Sequence, residues 1–295
     1  MDLNLTDEQR LIVDSAAEFL AAHSGSEQVR KVSAQASGRD AALWQGLAEL
    51  GWCGIHSPEA QGGLGLGVVE LVLLQEQLGR RLACVPYFDS VALAASALRQ
   101  LAGHSAVDAA LPFLASGEQR FAMALPHPAA TACNAQAQQQ ADGSWRLQGL
   151  WPQVGSAPLA QQLLLPAQLP DASWALFLLP ADSLSINPQP ALDATRLFGH
   201  VQAEQLPLAP AQCLALGETA AGVLAHTRCI AAIALAAEQV GVAQQALDLT
   251  LAYTLERQQF EKPIAAFQAV KHRCAQMLVA VETARSACYG AACLA

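Results

Sequence analysis

Two apolar stripes near the end of the sequence constrain the fold most. Ile230, Ile233, Ala237, Val240, Gln244, Leu247 and Leu251 recur at alternating spacings of three and four residues, the period of one helix face. Pro263 interrupts the pattern. Phe267, Val270, Cys274, Met277, Val281, Ala284 and Cys288 then repeat it to the end of the chain. The spacing predicts two long helices, antiparallel neighbours by their short connection. Two helices cover only one side of each other, so a partner or further helices are expected to shield the remaining apolar faces.

The preceding segments differ in texture. From Thr6 to about Gln119 the pattern is again helical. Thr6 followed by Gln9 fits a capping box, with the four-residue rows Leu11–Ser15–Phe19 and Ile12–Ala16–Leu20 behind it. Further helices are expected at about 40–50, with Gly51 as a left-handed cap, and at about 68–82. An Ala- and Leu-rich helical stretch should lie between Pro86 and Pro112. From about Arg120 to Leu208, short apolar runs alternate with Pro, Gly, Asn and Asp. These read as strands at Phe121–Leu125, Trp145–Val154, Gln162–Pro166, Trp174–Leu179 and Phe198–Leu208. The expected fold is therefore α+β and multidomain: an N-terminal helical domain over 1–119, a central antiparallel β domain over 120–208 and a partial C-terminal helical bundle over 209–295.

Composition narrows the function. A net charge of −9 argues against nucleic acid as a partner, because phosphate binding gathers basic side chains on one face. Hydrophobic residues make up 53% of the chain, yet the longest uninterrupted apolar run, Cys229 to Ala237, is half of the roughly 18 residues a membrane span needs. No membrane span and a cytoplasmic location are the expectations. Cysteines at 53, 84, 133, 213, 229, 274, 288 and 293 form no CxxC pair, so no metal site is expected.

Two constellations could carry chemistry. Pro58-Glu59-Ala60-Gln61-Gly62-Gly63-Leu64-Gly65-Leu66-Gly67 precedes a helix and could cradle phosphate there or form a turn that permits close packing. No clear strand precedes it and no βαβ unit follows, which counts against a dinucleotide fingerprint. The second lies between the long helices: Tyr253, Glu256, Arg257, Gln258, Gln259, Phe260, Pro263, Ile264, Phe267, Gln268 and Lys271. Arg257 could grip a pyrophosphate, Phe260 could offer an apolar face and the Gln268 amide could donate and accept. Alternatively this is an exposed turn, with Arg257 solvated and Phe260 and Phe267 in the core.

The order Arg-x-x-Phe, Pro-Ile and Phe-Gln after a long helix resembles the acyl-CoA dehydrogenase family, as does Pro-Glu-x-x-Gly-Gly-x-Gly in the first helical segment. The resemblance implies an FAD flavoprotein oxidoreductase of lipid metabolism. Its reaction removes the α-proton of an acyl-CoA thioester to a carboxylate and passes the β-hydrogen as hydride to the flavin. It implies that Arg257, Phe260 and Gln268 touch FAD held mainly by a neighbouring subunit, hence a homo- or hetero-oligomer. An electron-transferring flavoprotein is the implied electron acceptor.

The catalytic base is not identified. One family position falls at Ala231, whose methyl group accepts no proton, and the other lies beyond Ala295; the C-terminal domain is accordingly read as incomplete. Glu238 stands two turns from Ala231, about 10 Å along the axis, and reads as structural. Where the family commonly has a Thr-Glu-Pro segment beside the flavin, this sequence has Ala124, Leu125, Pro126, His127 and Pro128. The family's aromatic and hydroxyl pair falls at Gln153 and Gly155, with Trp151 close by. Three functions follow: an acyl-CoA dehydrogenase, a non-catalytic subunit contributing to a partner's FAD site in a heteromeric enzyme, or a flavin-free helical interaction protein.

Overall fold

The computed structural model describes residues 4–35, 38–126 and 135–295. Helix α1 (Asp7–His23) begins at the expected capping box: the Gln9 amide donates to Thr6 Oγ1 at 3.2 Å and the Thr6 amide to Gln9 Oε1 at 3.0 Å. Helices α2 (Ser26–Ser33), α3 (Ala41–Glu49) and α4 (Val68–Arg80) follow. Asp40 caps α3 by accepting from the Leu43 amide at 3.0 Å, and Gly51 sits at φ 75°, the left-handed geometry expected just past that helix. A π-helical stretch, Phe88–Ala95, runs into α5 (Ser96–Arg99).

Helix α6 (Ser105–Ala115) corrects one expectation. Pro112 lies inside it rather than bounding it. A proline inside a helix removes the bond its nitrogen would make and crowds the carbonyl four residues back; here Leu111, Leu114 and Ala115 bury around it, so packing outweighs that cost.

The strands are β1 (Phe121–Met123), β2 (Ala135–Gln139), β3 (Trp145–Gly155), β4 (Gln162–Gln168), β5 (Trp174–Pro180), β6 (Ser185–Gln189), β7 (Phe198–Leu208) and β8 (Cys213–Leu216). They form one sheet of order β6-β7-β3-β2-β4-β5-β8, with β1 paired to β4. The central sheet is antiparallel as expected except at β4, which runs parallel to both β1 and β2. The intervening β2–β3 hairpin gives the long crossover that parallel neighbours require. Along β3, Trp145, Leu147, Trp151 and Val154 face the core, whereas β4 and β5 are buried through their central five residues.

Helix α7 (Gly217–Glu256) leads to a small hairpin of β9 (Gln258–Gln259) and β10 (Lys262–Pro263), and then to α8 (Gln268–Ala292). Among the described residues α7 is long and apolar enough to cross a membrane by length and composition. Thr227, Arg228, Glu238 and Gln239 punctuate this otherwise apolar helix, which keeps its uninterrupted apolar run to Cys229–Ala237. Its Ala220, Val223, Leu224, Ile230, Ala234, Ala237, Val240 and Leu247 are buried, the pattern of a core helix.

Contacts divide the chain into two compact units. One comprises 1–29, 68–83 and 232–295. Within it, α4 and α7 touch through glycines: a Cβ on Gly79 would lie 2.8 Å from the Glu238 carbonyl carbon, and one on Gly241 would lie 2.8 Å from the Arg80 nitrogen. Glu76, 3% exposed, accepts from Arg285 Nε at 3.1 Å and from the Tyr289 hydroxyl at 2.8 Å, tying α4 to α8. The other unit comprises 30–67 and 84–231. It holds a core of Leu98, Leu111, Phe121, Leu176 and Leu224, and a second inside the sheet around Trp145, Leu147, Leu163 and Phe177.

Candidate functional site

The interhelical segment is a hairpin whose backbone makes its own bonds. The Arg257 amide donates to the Tyr253 carbonyl at 2.8 Å, continuing the last turn of α7. The Ile264 amide donates to the Arg257 carbonyl at 2.8 Å, closing the hairpin. Gln259 faces Lys262 and Gln258 faces Pro263, so Phe260 and Glu261 alone form the turn, at φ 52° and 64°. Two consecutive positive φ values suit the right-handed twist of the strands but are strained for residues with a Cβ, by roughly 1–3 kcal/mol each.

That turn lifts Phe260 out of the protein. Its side chain is 85% exposed, touching the edge of Phe267 with ring centroids 6.1 Å apart. Lys262 Nζ lies 4.6 Å from the Phe267 ring centroid, on the hairpin's second strand. Phe260 is therefore not a core residue, and Phe267 is half-buried beneath it. Arg257 and Gln268, the first residue of α8, are both exposed. The structure places Phe260 at the hairpin's turn, Arg257 just before its first strand and Gln268 at the start of α8, all three side chains exposed. Among the described residues, no side chain bonds the Arg257 guanidinium.

The glycine-rich loop spends its amides on itself. Gly63 donates to the Pro58 carbonyl, Leu64 to Gly54, Gly65 to Ser57 and Leu66 to Ile55, all within 3.0 Å. Gly62 and Gly65 take φ 80° and 65°, and a side chain on Gly63 would overlap the Ser57 carbonyl. Close packing, rather than a phosphate cradle, accounts for its composition.

Beside it lies a buried polar cluster that sequence reasoning did not single out. His56, 1% exposed, has Nε2 3.0 Å from Ser96 Oγ. Burial, and then the nearby Arg99 charge, lower its pKa to about 3, so the ring is neutral near pH 7.

Ala231 half-packs against the core formed by Leu93, Ala94, Leu98 and Leu224. Glu238 accepts from Gln75 Nε2 at 2.6 Å and is thereby held to α4. At the end of β3, Trp151 is 4% exposed and its indole N–H donates to the Pro166 carbonyl at 2.7 Å. Gln153, at φ 57°, sits in the irregular step between Trp151 and Val154. Of the 124–128 segment, Ala124 is buried and the Pro126 carbonyl accepts from Arg228 at 3.1 Å; His127 and Pro128 lie outside the described residues.

Residues 6–118 match the acyl-CoA dehydrogenase N-terminal domain and residues 219–295 its C-terminal domain. The acyl-CoA dehydrogenase IpdE2 of Mycobacterium tuberculosis is 30% identical over 95% of this chain and 74% of its own length. The chain is a member of the acyl-CoA dehydrogenase family. Acyl-CoA dehydrogenase FadE27 of the same organism is 33% identical over 83% of this chain, and the match spans 64% of that relative's length. Among solved structures, the ChsE4-ChsE5 complex from Mycobacterium tuberculosis superimposes with a TM-score of 0.89 at 28% identity, covering 99% of this chain and 79% of that one.

Acyl-CoA dehydrogenases are FAD flavoproteins, and the two candidate contact regions differ in their fit to that group. The Arg257 hairpin fits: it exposes a cation for a phosphate and an uncovered aromatic face. The end of β3 does not fit. Trp151 is turned inward with its only donor satisfied, and Gly155 carries no hydroxyl.

Proposed function

We propose that this chain serves FAD-dependent α,β-dehydrogenation of an acyl-CoA thioester by contributing Arg257, Phe260 and Gln268 to a flavin held by a neighbouring subunit. The observation that carries this reading is Phe260. A phenyl ring at 85% exposure, on a turn strained at two residues, loses free energy in the isolated chain. It becomes favourable when another surface covers it. FAD supplies the hydride acceptor when bound. This chain's guanidinium offers bidentate bonds to the dinucleotide's phosphates, and its ring excludes water from one side.

The neighbour is a second chain of the same family, which also supplies the base. Ala231 supports this, because of the family's two base positions it is the one that falls within residues 1–295, and it carries a methyl group. The related ChsE4-ChsE5 structure is itself a complex of two named chains. A second reading has the base follow Ala295 in a longer form of this same protein; the 64% and 74% spans of FadE27 and IpdE2 favour it. In either reading acyl-CoA is the substrate, an electron-transferring flavoprotein takes the electrons and the site of action is the cytoplasm.

The test is flavin retention by the assembled protein after Arg257→Ala and, separately, Phe260→Ala. Each should weaken FAD binding while leaving the helical circular-dichroism signal unchanged. Unaltered FAD affinity in both variants would exclude the hairpin as a flavin contact.

A further inference from the structure

The end of β3 is closed by a feature that no part of the proposed activity uses. Asp89, on the π-helical stretch, is 7% exposed, and the Ser156 hydroxyl donates to its Oδ2 at 2.5 Å. The same carboxylate occupies the space in front of Gly155: a Cβ there would overlap Asp89 Oδ1 and lie 2.8 Å from its Cγ. No residue with a side chain, and so none with a hydroxyl, can stand at 155 while Asp89 holds this position.

Asp89 is fixed in place by its neighbours. Ser90 Oγ donates to the Phe121 carbonyl at 2.7 Å and accepts from the Phe121 amide at 3.0 Å, and the Tyr87 hydroxyl donates to the Trp52 carbonyl at 2.9 Å. Ser156 is held from the other side: its amide donates to the Leu197 carbonyl at 2.8 Å and its backbone takes φ 52°. A buried carboxylate with a short bond, a left-handed serine and an obligatory glycine together form a latch between the π-helical stretch and β3.

Resting on the proposed function above, we infer that the Asp89–Ser156 latch closes this chain's own middle-domain flavin position, so that each copy meets flavin only through its Arg257 hairpin. The two positions that the family resemblance assigns to flavin contact, 153 and 155, lie immediately before Ser156. Gln153 replaces the aromatic residue. Gly155 replaces the hydroxyl, and the Asp89 carboxylate fills the space in front of it where a side-chain donor to flavin would have to stand. An assembly built from this chain alone then has Arg257 hairpins with no flavin to meet, and all FAD in a mixed assembly sits on the partner's middle domain.

The experiment is photolabelling of the assembled protein, purified with the subunits that co-elute with it, using 8-azido-FAD and peptide mapping. Label is expected in this chain's 257–268 peptide and in the partner, with none in its 145–156 peptide. A parallel titration of this chain alone with FAD should show no stoichiometric retention. Label within 145–156, or one FAD retained per chain by the protein alone, would overturn the latch. That failure is separable from failure of the hairpin proposal, in which 257–268 stays unlabelled and Arg257→Ala leaves FAD affinity unchanged.

Discussion

Replacing Gly241 by alanine tests the packing that holds the α4–α7–α8 unit together. Alanine favours helix, so propensity alone makes Gly241→Ala stabilising by about 0.8–1.0 kcal/mol. The structure reverses that sign. The new methyl carbon would lie 2.8 Å from the Arg80 nitrogen and 2.9 Å from the Glu76 carbonyl carbon, and closer still to the Glu76 carbonyl oxygen. These are backbone atoms that cannot rotate away. Relief requires the helices to part by about 1 Å, which forfeits a quarter to a half of the dispersion energy along the seam. Overpacking of this kind costs about 1–3 kcal/mol. The same shift strains the Glu76–Arg285 pair, since Glu76 supplies both the obstructing carbonyl and the buried carboxylate. The expected net loss is about 1–2 kcal/mol, measured as the drop in urea unfolding free energy for the α4–α7–α8 transition. A variant as stable as the wild type, or more so, would refute the close contact.

Other perturbations follow from the same geometry. Arg285→Ala leaves the Glu76 carboxylate, at 3% exposure, without its cation and with the Tyr289 hydroxyl still donating to it, so unfolding free energy should fall by about 3 kcal/mol; a loss under 1 kcal/mol would show that water reaches Glu76. His56 has its folded pKa lowered to about 3 against an ordinary 6.5. The unfolded chain then binds the extra proton, so this contribution is intact above about pH 6.5 and shrinks as pH falls towards 3. His56→Gln should flatten the acid limb of stability across that window, and unchanged slopes would contradict a neutral buried ring. Burial pushes the Cys53 thiol up to about 12, whereas Cys229 and Cys293 are exposed. Iodoacetamide at neutral pH should modify Cys229 and Cys293 in the native protein, with Cys53 reacting only after unfolding, as mapped by mass spectrometry.

Where local chemistry and packing agree, the fold was legible in the sequence. The Thr6–Gln9 box, Gly51 and the two long stripes each specify their element without help from the rest of the chain, whereas the cap that Asp40 makes was seen only in the structure. Helix α2 went unread because Ser26–Ser33 buries only Val32. Strand β2 went unread because Ala135–Gln139 has no β-branched or aromatic residue; its Ala135 and Ala137 are strand residues only because β3 lies alongside. The parallel pairing of β1 with β4 depends on a crossover that no local pattern records.

The candidate site divides in the same way. Arg257, Phe260 and Gln268 were singled out by the family resemblance, while the residues themselves left open whether Phe260 faces outward or packs in the core, as a phenylalanine between apolar stripes ordinarily does. Asp89 left one signal, a lone carboxylate in the run Phe88-Asp89-Ser90-Val91-Ala92-Leu93. Nothing in that run says that its partner is Ser156, 67 residues away.

The central claim is that this chain works at a flavin that oxidises acyl-CoA. It is tested most directly by the visible spectrum of the protein, purified with its co-eluting subunits, during anaerobic addition of acyl-CoA thioesters of increasing chain length. FAD bands that bleach with at least one thioester, and that are lost on gel filtration of the Arg257→Ala assembly, are the expected result. An assembly that is colourless and takes up no FAD, or one whose flavin is indifferent to every thioester, would contradict the account.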